Sequence, residues 1–186
     1  MMTAVETTAV ALALIYVLLA MRQNRLCWVA AFVSALLYLF IFADVQLYME
    51  AGLQVIYAGM AAVGWLSWGE NSSARTLPVT TRPWQFHGAM LITIAISAAA
   101  AGTLLSTYTD AARPFIDAGT TVSAVICTWM VTRKILENWL YWIAINAVSV
   151  WLFMDRGLTQ TSALFALYIL LSILGYLSWR RTLATP

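Results

Sequence analysis

Seven nearly unbroken apolar stretches run along the chain, separated by short segments that collect most of its charges and prolines. They cover Thr3 to Met21, Cys27 to Ala43, Glu50 to Gly69, Gln85 to Ser106, Arg113 to Thr132, Glu137 to Met154 and Gln160 to Trp179. A helix needs about 17–25 apolar residues to cross the hydrocarbon of a bilayer, and every stretch has that length. A membrane β-barrel would show short segments of alternating polarity instead. The pattern therefore predicts an all-α integral membrane protein with seven transmembrane helices. The first stretch lacks a basic leading segment, carries Glu6, and runs into Arg22 and Arg25 rather than a small-residue cleavage site, so it is expected to be a helix and not a signal peptide.

The polar and aromatic positions repeat. Trp28, Phe42, Asp44, Leu47, Tyr57, Gly64, Ser67 and Trp68 match Trp139, Phe153, Asp155, Leu158, Tyr168, Gly175, Ser178 and Trp179, each pair 111 residues apart. One register held over two helices and a loop marks an internal duplication of three helices. Three crossings leave the chain on the opposite side of the membrane, so one further helix must return it if the second copy is to insert like the first. The alanine-rich fourth stretch, with Ala98 to Ala101, is that linker helix. The expectation is a single domain over 1–186: repeat one at 3–69, a cytoplasmic linker at 70–84, the linker helix at 85–106 and repeat two at 113–181. This 3+1+3 arrangement of parallel repeats is the plan of SWEET-type transporters, in which substrate binds between repeats near the midplane.

Composition removes the soluble alternatives. At 62% hydrophobic and 10% charged residues, with mean hydropathy +0.81, the chain has too few charges to cover a water-soluble globule. The charges it has give an orientation. Arg22, Arg25, Arg75, Arg82, Arg133, Lys134, Arg180 and Arg181 all follow odd-numbered helices. The other side has only Arg113 and Arg156 among Asp44, Glu50, Asp110 and Asp155. Basic loops stay inside, which puts the N-terminus outside and the C-terminus in the cytoplasm, with Asn71 to Trp84 as a cytoplasmic tether. Cys27 and Cys127 are expected to be free, packed thiols. With the single histidine, His87, and no His/Cys/Glu grouping, neither a catalytic nor a metal site is expected, and the chain shows no nucleotide-binding motif. Neither a cofactor nor a nucleic-acid partner is expected; the partners are the lipid bilayer and a small molecule.

Helical spacing nominates the residues that would meet that molecule. On helix six Trp139, Trp142, Asn146, Ser149 and Phe153 share a face, and on helix three Gln54, Tyr57, Ala61, Gly64 and Trp68 do. Helix two adds Ser34, Tyr38 and Phe42; helix five Asp117, Thr120, Thr121, Ser123 and Thr128; helix seven Tyr168, Ser172 and Gly175. Serines and threonines in membranes commonly bond between helices. A carboxamide needs several partners, which makes Asn146 and Gln54 stronger candidates for a ligand. Trp28, Trp68 and Trp179 at helix ends fit an interfacial aromatic belt. Trp142 lies deeper, and its counterpart in repeat one is Ala31, as Ala35 is that of Asn146, so one half alone carries these groups.

The run Arg133-Lys134-Ile135-Leu136-Glu137-Asn138-Trp139-Leu140-Tyr141-Trp142, continuing to Asn146, resembles the W-x-x-W-x-x-x-N signature of the PnuC vitamin transporters. Pro114, Asp117, Thr120 and Thr121, the stretch Gln46-Leu47-Tyr48, Gln54, and the pairs Gly64-Trp65 and Gly175-Tyr176 extend the resemblance over nearly the whole chain. It implies an inner-membrane carrier, not an enzyme, that takes up an unphosphorylated vitamin by facilitated diffusion and works as a homotrimer. Nicotinamide riboside is the usual cargo, with thiamine and riboflavin carried by relatives. Ser34 and Ala61 stand where nicotinamide riboside carriers have asparagines, which opens the case for thiamine. The rival reading is a substrate-capture subunit of a larger importer. In the transporter reading Trp139 and Trp142 clamp the ring, Asn146 and Gln54 bond its polar edge, and Tyr57, Tyr168, Ser34 and Thr121 complete the cavity.

Overall fold

A computed structural model describes residues 2–44, 46, 48–69, 77–109, 113–155 and 157–183. The expectations placed on Leu47, on Arg75 and the tether segment 70–76, on Asp110 and on Arg156 lie outside the described residues. Seven helices follow in order: α1 (Met2–Met21), α2 (Cys27–Asp44), α3 (Tyr48–Ser67), α4 (Trp84–Tyr108), α5 (Pro114–Thr132), α6 (Asn138–Asp155) and α7 (Thr159–Leu183). Among the described residues there is no strand, only an isolated bridge between Thr80 and Ile135. Both ends of α6 lie 111 residues beyond those of α2, so the duplication read in the side chains is also present in the backbone.

The helix ends show how closely the copies agree. After α1, Gln23 N–H donates to Ala20 O and Asn24 N–H to Leu19 O. After α5, Lys134 N–H donates to Val131 O and Ile135 N–H to Met130 O. These paired bonds form the same C-terminal motif, which requires a left-handed residue at its turn. Gln23 (φ 55°) and Lys134 (φ 49°) supply it, as Gln46 (φ 62°) and Gly157 (φ 73°) do after α2 and α6. At the other end, α5 opens on Pro114, whose missing N–H is one that would have no partner inside the helix. α7 runs on past Trp179 to Leu183, and Arg180 and Arg181 in its last turn face the negative end of the helix dipole.

Five helices, α1, α2, α4, α5 and α7, are long and apolar enough to cross a membrane by length and composition. The other two, α3 and α6, carry Gln54 and Asn146. Large apolar side chains such as Leu66, Ile96 and Ile92 are exposed, as they are where lipid takes the place of water.

The chain divides into two compact units. The first comprises residues up to Val79, Val131–Lys134 and the segment from Leu174. Here α1 packs on α2 and α2 on α3. Ser34 Oγ donates to Ala9 O at 2.9 Å, and Arg25 Nε donates to Trp65 O at 2.7 Å while its guanidinium lies 3.8 Å over the Trp65 ring. The ends of α1, α3, α5 and α7 meet in this unit. Trp28, Trp68 and Trp179 meet there too, and they do not form the expected interfacial belt: they are 1%, 5% and 0% exposed. Trp28 stands edge-on to Trp68 with ring centroids 5.3 Å apart, and Trp68 lies 5.9 Å from Trp179. The reason is that indole N–H groups of Trp68 and Trp179 bond to carbonyls at helix ends, which holds both rings inward.

The second unit comprises Thr80–Met130 and Ile135–Ile173. Leu136 N–H donates to Thr80 O at 2.8 Å, tying the approach to α4 against the loop before α6. Ser162 Oγ donates to Val150 O and joins α7 to α6. Arg113 pairs with Asp155 and lies 4.7 Å over the Trp151 ring, which fastens the start of α5 to the end of α6.

Candidate functional site

The α6 face nominated by spacing is the buried one. Trp139, Asn146 and Ser149 are buried on it and Trp142 is half-buried, whereas Leu140, Val148 and Trp151 on the other side are exposed. Ser149 satisfies its hydroxyl within the helix, donating to Ile145 O at 3.0 Å. Asn146, a residue 5% exposed, shows no such bond: none of the described residues gives its carboxamide a hydrogen-bond partner. Polar side chains in buried residues are nearly always paired, so a carboxamide that no described residue engages is a candidate to meet a ligand. Asn138, two turns earlier, donates from Nδ2 to Ile135 O at 2.6 Å and closes the loop that starts α6, while its Oδ1 is buried with no hydrogen bond among the described residues.

Also in the second unit, Tyr168 meets Phe165 edge-on at 6.0 Å, and Phe165 stacks on Phe153 at 5.1 Å. Helical spacing does not single out Phe165. Its register was the available signal, because it occupies in repeat two the position of Gln54 in repeat one. Thr121 on α5 is exposed, and Thr120 and Thr128 donate to carbonyls of their own helix. His87, at the start of α4, bonds through Nδ1 to the hydroxyl of Tyr141 at 3.0 Å, with Glu137 4.0 Å from its Nε2. The neighbour of Trp142 on α6 is thus held from α4.

In the first unit, Gln54 and Tyr57 are half-buried on α3 and Ala61 is buried below them. The Ser34 hydroxyl is spent on Ala9 O, the interhelical bond common for such residues in membranes. What each unit offers is therefore distinct: a carboxamide and a phenol on α3 in one, and on α6 in the other two indoles with a carboxamide that no described residue engages. Among the described residues no group of three or more His, Cys, Asp or Glu could hold a metal ion.

Residues 3–181 match the family described as "Nicotinamide mononucleotide transporter". The chain belongs to the nicotinamide mononucleotide transporter family. The riboflavin/roseoflavin transporter RibM of Streptomyces davaonensis is 25% identical over 172 residues, which are 90% of this chain and 80% of that protein. The nicotinamide riboside transporter PnuC of Escherichia coli is 23% identical over 175 residues, 79% of this chain and 72% of its own length. A crystal structure titled as that of the vitamin B3 transporter PnuC superposes with a TM-score of 0.75 at 18% identity, covering 97% of this chain and 82% of the other. The fold is accordingly the 3+1+3 arrangement of that family. As a member, the chain is a multi-pass membrane protein and a vitamin transporter, not an enzyme.

Proposed function

We propose that the chain carries an unphosphorylated vitamin with a flat ring into the cell by uncoupled facilitated diffusion, with nicotinamide riboside as the favoured cargo. The observation that carries this reading is Asn146, a buried residue whose carboxamide has no hydrogen bond among the described residues, one turn from the half-buried indole of Trp142 on the same helix face. Such a pair suits a ring that stacks and an amide edge that bonds. Trp139 backs the stack, with Tyr168 and Thr121 as further candidates in the same unit; on helical spacing Gln54 and Tyr57, and Ser34 with its hydroxyl engaged, are the candidates that the other unit offers. The candidate set contains no arginine or lysine to pair with a phosphate, which favours the unphosphorylated form. Asp117 and Glu50 both lie in first helical turns, so neither is placed deep enough to couple an ion to transport.

The chain works in this reading as one domain of two three-helix repeats, with the N-terminus outside and the C-terminus in the cytoplasm. The basic residues Arg22, Arg25, Arg133, Lys134, Arg180 and Arg181 all belong to the unit in which α1, α3, α5 and α7 end, which supports a shared cytoplasmic side for those ends. A second reading, riboflavin, is favoured by the RibM relative and by small residues at Ser34 and Ala61, which leave room for a wider ring.

Purified protein should be titrated side by side with nicotinamide riboside, thiamine, riboflavin and nicotinamide mononucleotide, then tested for uptake in liposomes without other subunits. Binding of one unphosphorylated vitamin, and its movement down its gradient without sodium or a proton gradient, is the expected result. Tightest binding of the mononucleotide, or accumulation driven by an ion gradient, would refute the proposal. Binding without transport by the isolated chain would instead mark a capture subunit.

A further inference from the structure

The contacts that join the helix ends in the first unit are reciprocal. Trp68 Nε1–H donates to the carbonyls of Val131 and Thr132, each at 3.2 Å, while Trp179 Nε1–H donates to Ala20 O at 2.9 Å. Trp68 and Trp179 are equivalent positions of the two repeats, and so are Ala20 and Val131. The third helix of each repeat therefore holds the end of the first helix of the other. Two further contacts join a residue to its own equivalent. The Trp68 and Trp179 rings lie 5.9 Å apart, and Lys134 Nζ donates to Gln23 Oε1 at 3.3 Å across the repeat interval of 111 residues. Residues related by a two-fold axis can touch each other only at that axis. In a transporter of parallel repeats the axis runs along the membrane normal, and substrate moves between the repeats that it relates.

The chemistry of the cluster bears on what it does there. A contact that served cohesion alone would be served best by apolar packing, since a buried charge without a charged partner is costly. Here Lys134, a residue 5% exposed, sets its ammonium on the Gln23 carboxamide with the Trp68 ring face 4.7 Å away. Ammonium, indole N–H and helix-end carbonyls are groups that water satisfies readily once they separate. A closure built from them is held when shut and tolerated when open.

Resting on the transport reading, we propose that this reciprocal indole clasp is the closure of the transport path at the membrane face where α1, α3, α5 and α7 end, and that Trp68, Trp179, Gln23 and Lys134 must part for the vitamin to leave by that face.

The test places cysteines at Gln23 and Lys134 in a chain with Cys27→Ala and Cys127→Ala, and joins them with a short, reducible bis-thiol reagent in liposomes. Completeness is read by gel shift and uptake with nicotinamide riboside, thiamine and riboflavin. Joined protein should bind its vitamin as before, lose net uptake, and regain it on reduction. Undiminished uptake by the joined protein would overturn the proposal, as would failure of the two thiols to join in folded protein. A parent that carries none of the three vitamins would remove the transport reading itself, a different result from a parent that carries one and is indifferent to the link. Cys27, 0% exposed at the start of α2, gives a second readout in a Cys127→Ala chain. Trp179→Phe keeps the ring and removes the donor, and should raise Cys27 labelling by an impermeant thiol reagent about tenfold. Unchanged labelling in the folded variant counts against the clasp; should that variant not fold, Gln23→Ala is read in the same way.

Discussion

Trp28 lays its indole directly over Gly64, so that a Cβ built on that glycine would fall within the ring. This is why α2 and α3 come together at that level, and it also seats Trp28 edge-on against Trp68. Gly64→Ala should displace the ring and destabilise the protein by about 1–3 kcal/mol. Gly59 on the same helix has nothing within 4 Å of an added Cβ, and Gly59→Ala should stay within about 1 kcal/mol of the parent. Thermal unfolding of both variants in detergent makes the comparison.

Trp142 is the half-buried partner of the candidate clamp. Its replacement by alanine should weaken vitamin binding by about 1–3 kcal/mol through lost stacking and leave the melting temperature close to that of the parent. Ala31→Gly, at the equivalent position of repeat one, should leave affinity unchanged. Calorimetric titration of the two variants decides the point, and equal binding by Trp142→Ala would move the site elsewhere.

For Asn146 stability and function should part company. A buried carboxamide without a partner costs about 1–3 kcal/mol, so Asn146→Leu should hold or raise the melting temperature while affinity for the vitamin falls at least about tenfold. If the leucine variant melted markedly lower, the carboxamide would be a structural group after all.

Burial pushes the Lys134 ammonium below the usual lysine range, with Cys27 acting the other way. A lowered value in the folded protein means that the unfolded chain binds the proton more tightly. The associated stability is then present above the ordinary lysine value of about 10.4 and lost as pH falls through the lowered one. The melting temperature of the parent, measured against Lys134→Gln, should therefore rise between neutral pH and about pH 10.5. A difference that stays flat or falls would show that the ammonium is well solvated.

Much of the fold is legible in the apolar pattern, because a bilayer forces helices and fixes their length. α1, α2 and α5 end at or within a residue of where apolar character ends. α7 continues further because a charged turn outside the hydrocarbon is still good helix. The duplication was legible too, since Asp44 and Asp155 mark its register. The tryptophan cluster was not: an indole at a helix end looks the same in sequence whether it faces lipid headgroups or a carbonyl of another helix. The left-handed turns at Gln23 and Lys134 were hidden for a similar reason, as neither position carries the glycine that usually signals one. At the candidate site, three- and four-residue spacing identified the buried face of α6. That Asn146 lacks a partner while Ser34 and Ser149 have theirs depends on neighbouring backbones and cannot be read from spacing.

The polar character of α3 and α6 also bears on how the protein is made. Each follows, across a short connection, a helix long and apolar enough to cross a membrane: α2 leads to α3, and α5 leads through Lys134 and Ile135 to α6. A segment with a carboxamide at its centre partitions poorly into lipid alone and does better alongside a neighbour that shields its polar face. On that ground α6 is expected to enter the bilayer as the second arm of a hairpin with α5, its polar side chains first sheltered by another helix.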